Sequence, residues 1–228
     1  MIELTSTPII IMVILGVAGM IIPVINVLRK ERGSSTFYGL IAFGALLLSL
    51  GYVIYRFYTD SVADSAIFSS DVLVDDGFGS FFAIAMLIVS IMAVAGSFNY
   101  MRKRSNPAIY FSLILLSSIG MVLIAFSTDL VMLFVAWELM SIPTYILAGY
   151  NKKDPSSNEA AIKYFLFGAL SSGIIIYGIS LAYGITGSTN IGDVIYGFSN
   201  LSPDMLPLGL LAIGMFIAGF GFKMGLVP

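Results

Sequence analysis

The sequence predicts an all-α protein, a polytopic transmembrane helical bundle of seven spans with its N-terminus outside. Three observations carry this. Of the 228 residues, 58% are hydrophobic and 11% charged, with a mean hydropathy of +0.99, whereas roughly a quarter of a soluble domain is charged. The apolar residues fall in runs of about 20, the length that a helix rising about 1.5 Å per residue needs to cross the hydrocarbon core. Basic residues concentrate in alternate loops, the asymmetry that keeps Lys and Arg on the cytoplasmic side. No run has the alternation and regular turns of a transmembrane β-barrel, and an open sheet edge cannot exist in lipid.

The spans run approximately Pro8–Leu28, Phe37–Phe57, Phe78–Phe98, Ala108–Phe126, Leu130–Tyr150, Ala160–Tyr183 and Leu206–Pro228. The N-terminus lacks the basic region and small-residue cleavage site of a signal peptide, so the first run reads as a retained helix. Arg29, Lys30 and Arg32 follow the first span, Arg102, Lys103 and Arg104 the third, and Lys152 and Lys153 the fifth. The opposite loops hold Arg56 and are otherwise acidic, with Asp60, Asp64, Asp71, Asp75, Asp76, Asp129, Asp193 and Asp204. Asp60–Gly77 is too polar to cross and is expected to be an exterior loop with a short strand or interfacial piece around Val72–Val74. Gly184–Pro207, rich in Gly, Ser, Asn and Pro, reads as a second exterior loop, with Pro203 and Pro207 placed to start a helix. In the cytoplasmic turn Asn151–Asn158, Ser157 or Asn158 is the expected N-cap, with Glu159 favourable to the helix dipole. Gly168, Gly173, Gly178, Gly214, Gly219 and Gly221 read as positions of close helix approach.

Three ionisable residues fall inside spans: Glu138, Lys163 and Lys223. A charge near the bilayer centre costs about 2.5–3.5 kcal/mol on insertion scales, so such residues face the bundle interior, find partners and commonly mark ion or proton paths. Glu138 lies roughly 12 Å from the exterior end of its span, too deep to reach water. Its bland alternative is a carboxyl held by hydrogen bonds for packing. Pro143, five residues on, removes a backbone donor and can kink the helix, freeing a carbonyl that could hydrate a cavity. Lys223 is flanked by Gly219, Gly221 and Gly225, with Pro228 five residues beyond. Burial disfavours a lysine's charged form and a nearby carboxylate favours it, so a lysine with a movable partner can act as a switch. As part of an uninterrupted helix Lys223 would lie about 26 Å from the exterior end and snorkel, although a helix among such breakers need be neither straight nor continuous. Lys163 lies about one turn into its span, where it could snorkel or form an i,i+4 surface pair with Glu159. Asp129, Tyr145, Tyr164 and Tyr177 read as interface or packing groups.

Trp137-Glu138-Leu139 in an apolar span resembles the fifth helix of the antiporter-like subunits of respiratory complex I. Glu159-Ala160-Ala161-Ile162-Lys163-Tyr164-Phe165, followed by a Ser/Gly-rich apolar run, resembles the sixth. Gly221-Phe222-Lys223-Met224-Gly225-Leu226-Val227-Pro228 resembles the seventh, which in the family is interrupted here. The Glu-Ala-Ala-Ile-Lys-Tyr segment and Gly187-Ser188-Thr189-Asn190-Ile191 are most like the N-type subunit. The resemblance implies that residues 1–106 form three N-terminal helices and residues 107–228 the first four helices of the first antiporter-like repeat. It implies that Glu138 pairs with Lys223, that Lys163 joins the same chain of charges, and that electron transfer elsewhere in a complex perturbs these pairs and drives protons through. The chain itself would do no redox chemistry, hold no cofactor and bind no quinone directly. Its partners would be lipid and other membrane subunits of a complex I-like assembly, in a cell inner or cytoplasmic membrane of a prokaryote rather than an organelle. Family members continue past this proline with a Phe-His-containing segment and a second inverted repeat, so these residues would hold the first half of a path and should not pump alone.

With no cysteine and no histidine, disulfides, thiolate chemistry, imidazole haem ligation and the usual zinc and copper sites are excluded, leaving proton handling to Lys, Glu, Asp, Tyr or water. The net charge of −2 and the lack of a basic stripe exclude a nucleic-acid partner. Two other functions fit parts of the pattern: a subunit of a multisubunit cation/proton antiporter or membrane-bound hydrogenase, which share the Glu/Lys arrangement, and a structural membrane subunit.

Overall fold

The computed structural model describes residues 6–28, 34–60, 68–69, 72–102, 104 and 106–226. Arg29, Lys30, Arg32, Asp64, Asp71, Lys103, Val227 and Pro228 lie outside the described residues. The helices are α1 (Thr7–Leu28), α2 (Ser35–Asp60), α3 (Gly77–Met101), α4 (Pro107–Phe126), α5 (Leu130–Ala148), α6 (Pro155–Thr186), α7 (Ile191–Ser199) and α8 (Leu206–Lys223). All but α7 are long and apolar enough to cross a membrane, and they correspond one to one with the seven expected spans. The protein is a multi-pass helical membrane bundle.

α4 is the axis of the N-terminal part. Two thirds of its apolar window is covered (67%), against 39% or less for every other span, because α1, α2, α3 and α5 all pack on it. Lipid supplies no hydrophobic drive between helices, so close approach and interhelical hydrogen bonds hold them. Ser112 Oγ donates to the Gly19 carbonyl at 2.5 Å, Ser118 Oγ to Ser90 Oγ at 2.9 Å, and Ser117 Oγ to the Met140 carbonyl at 3.0 Å. At Gly120 a side chain would meet the α5 backbone, its first carbon 2.6 Å from the Ala136 carbonyl oxygen. α5, α6 and α8 then extend the bundle in that order, with α7 against α6.

One end of the bundle is knitted by backbone. β1 (Phe68–Ser69) and β2 (Val74–Asp75) pair antiparallel, Phe68 with Asp75 and Ser69 with Val74, so the strand expected at Val72–Val74 begins at Val74. The Thr128 N–H donates to the Val72 carbonyl, the Leu130 N–H to Thr189 and the Ile191 N–H to Thr128. Asp75, almost wholly buried at 2% exposure, accepts from the Thr7 N–H at 2.8 Å, satisfying an orphan donor of α1, and pairs with Arg56 at 3.5 Å. Asp129 caps α5 through Val131 and Met132 and accepts from the Thr189 hydroxyl.

Two local expectations are corrected. The N-cap of α6 is Asp154, which accepts from the Ser156 N–H, with Pro155 in the first turn. Ser157 instead donates to the Ala148 carbonyl and Asn158 to the Lys152 carbonyl, and Glu159 falls beyond the first turn, so the cap reinforces the α5–α6 turn as well as the helix. The segment 184–207, expected to be an exterior loop, contains α7, capped by Asn190 through Gly192 and Asp193. Pro207 stands in the first turn of α8, while Pro203 precedes that helix.

Candidate functional site

Glu138 lies one residue from the midpoint of α5 (Leu130–Ala148). Lys223 is the last residue of α8, where the helix stops by a specific cap. Gly225 takes φ +75°, the Leu226 N–H reaches back to the Gly221 carbonyl and the Gly225 N–H to Phe222. This is a Schellman ending, which needs a residue free to adopt the left-handed conformation. The helix therefore ends ahead of Pro228 and leaves Lys223 on a terminus.

The two charges meet: Lys223 Nζ lies 2.5 Å from Glu138 Oε1, with side-chain exposures of 5% and 22%. Counted from each helix start, Lys223 would sit about 13 Å deeper than Glu138 at about 1.5 Å per residue. α8 is therefore offset or inclined relative to α5, and the lysine stem covers the remainder. The side chain is spent on this contact and not on reaching water. Ring contacts between Trp137 and Phe220 (5.1 Å) and between Phe167 and Phe222 (6.0 Å) tie α8 to α5 and α6 beside the pair.

A third group belongs to the site. Ser172 of α6, buried, has its Oγ 2.6 Å from Glu138 Oε1 and 2.9 Å from the Gly168 carbonyl. Sequence reasoning missed it: Ser171 and Ser172 are neighbouring hydroxyls in an apolar run, and nothing in their spacing says which faces α5. Ser171 donates to the Gly168 carbonyl. Lys163 is not brought to this site. It pairs with Glu159 at 2.5 Å, both side chains about two-thirds exposed, and nine residues of helix, about 13 Å, separate it from Ser172. Among the described residues, no group of three or more Asp, Glu, His or Cys comes together to hold a metal.

This geometry supplies a carboxylate and an ammonium in contact, near the middle of α5, with the lysine on a helix end and a hydroxyl on the shared oxygen. It can hold or pass a proton.

Residues 127–228, which include Glu138, Lys163, Lys223 and Ser172, match the family described as NADH:quinone oxidoreductase/Mrp antiporter, transmembrane. Respiratory complex I of Thermus thermophilus has a chain similar over 93% of this one and 43% of its own length, at TM-score 0.72 and 27% identity. The archaeal membrane-bound sulfane sulfur reductase shares the fold, with TM-score 0.76 over 94% of this chain and 44% of its own, at 20% identity. The chain thus resembles membrane subunits of complex I-type assemblies over nearly its whole length. Its curated relatives include subunits named N. It is 38% identical to the NADH-quinone oxidoreductase subunit N of Desulfitobacterium hafniense over 99% of this chain and 44% of the relative. It is 36% identical to the F(420)H(2) dehydrogenase subunit N of Methanosarcina mazei over 70% of this chain and 32% of the relative. The chain thus spans less than half the length of these curated relatives.

Proposed function

We propose that this chain works as part of a proton-translocating membrane subunit of a complex I-like quinone oxidoreductase, moving protons through Glu138 and Lys223 while other subunits carry out electron transfer. The observation that carries this is the Lys223–Glu138 pair, 2.5 Å apart in the membrane interior with Lys223 only 5% exposed. An intramembrane charge pair is expensive and is a functional marker by default. The likeness to NADH-quinone oxidoreductase subunits N and to a complex I structure supports the assembly and its other membrane subunits as partners. Lys163 enters this reading as an outer relay member, reached from Glu138 by water. The membrane is a prokaryotic cytoplasmic membrane, with the Asp75, Asp129 and Asn190 end outside.

The family description also covers the Mrp antiporters, so cation/proton exchange without electron transfer is the second reading. Glu138→Gln and Lys223→Ala in the assembled complex separate the outcomes. Proton translocation per electron falls to background in both, while the complex still assembles. Normal stoichiometry in both variants refutes the relay, and sodium-dependent exchange in vesicles without an electron donor favours the second reading.

A further inference from the structure

We infer that Ser172 is a positioning residue for Glu138, a hydroxyl that switches acceptors as the carboxyl gains and loses its proton; this rests on the relay reading above. The Ser172 hydroxyl has one hydrogen and two acceptors within reach, Glu138 Oε1 at 2.6 Å and the Gly168 carbonyl at 2.9 Å. A hydroxyl can also accept through its lone pairs. When Glu138 is ionised, Ser172 donates to Oε1. When the carboxyl carries a proton, Ser172 turns its hydrogen to the carbonyl four residues back and accepts from the carboxyl. In neither state is the Ser172 hydroxyl hydrogen left unpaired in an apolar span, where that is costly.

The shared oxygen gives this arrangement its direction. Lys223 Nζ and Ser172 Oγ both contact Oε1, so the atom that exchanges a proton with the lysine is the one the serine holds. The two partners differ in freedom. Lys223 is a four-carbon stem on a helix end, whereas Ser172 is embedded in the middle of α6 and can turn only about one bond. When Lys223 moves away, Ser172 keeps the carboxylate aimed, ready for its return. Ser171 is an internal control, since its hydroxyl also donates to the Gly168 carbonyl, at 2.9 Å, and it is likewise buried.

The experiment uses the assembled complex with Ser172→Ala, Ser172→Thr, Ser171→Ala and Glu138→Gln. Its readouts are proton-coupled turnover and the infrared difference band of the Glu138 carboxyl, assigned by its disappearance in Glu138→Gln. Ser172→Ala is expected to shift that band and to lower coupled turnover about tenfold, the scale of one hydrogen bond to a charged group. Ser172→Thr is expected to restore both, and Ser171→Ala to change neither. An unmoved band with normal turnover in Ser172→Ala overturns the inference, as does an equal shift in Ser171→Ala, which would mark general disturbance of α6. Normal translocation in Glu138→Gln would instead sink the relay reading itself.

Discussion

Glu138 and Lys223 were legible as candidate site residues because a charge in hydrocarbon needs a partner, and each stood alone among apolar neighbours in its span. Ser172 was not, because a serine in a helix can satisfy itself on the carbonyl four residues back and needs no explanation. The pairing sets a stability expectation. Removing one partner of a buried ion pair leaves an uncompensated charge, typically a loss of about 3–5 kcal/mol, whereas replacing both with apolar groups is often neutral. Lys223→Met and Glu138→Met should therefore each lower thermal stability in detergent, and the double variant should be more stable than either. If the singles and the double melt together, the pair is solvated and its burial is not what it costs the fold.

At the scale of elements, the seven spans were readable because lipid admits only helices whose backbone bonds close within the segment. The nine residues of α7 were not, although Asn190 with Asp193 three residues on is a capping pattern and Ile191, Val194, Ile195 and Phe198 have helical spacing; two glycines and the Ser/Asn-rich surroundings hid them. The cap of α6 was misplaced for a related reason. Four of the residues 154–158 can cap, and only Asp154 is followed by a proline suited to the first turn. Helix register positions the site. Gly120 of α4 abuts Ala136 and Met140, which bracket Glu138, and the neighbouring atoms are backbone that cannot move aside. Gly120→Ala should push α5 outward at an overpacking cost of about 1–3 kcal/mol and lower proton translocation, although no charge is touched. Unchanged melting and translocation in that variant would mean that α5 is positioned by other contacts.

For the whole molecule, acidic side chains predominate at one end and basic ones at the other, with Arg56 beside Asp75 and Asp154 beside Lys153 as exceptions. Asp75, Asp129 and Asp193 lie at the end knitted by the β1–β2 ladder and the α6–α7 loop, while Arg102, Arg104, Lys152 and Lys153 lie at the other. Packing alone cannot orient a bundle in a membrane, since it is the same viewed from either face. The basic residues of short loops supply that information, being retained in the cytoplasm. These 228 residues contain no cysteine, so an introduced thiol is the only one among them. Ser202→Cys at the acidic end and Lys153→Cys at the basic end replace exposed residues. In right-side-out vesicles a membrane-impermeant maleimide should label Ser202→Cys and spare Lys153→Cys, and inverted vesicles should reverse the pattern. The opposite pattern would place the N-terminus inside and would turn the Glu138–Lys223 pair toward the other compartment, reversing which half of a proton path these helices could form.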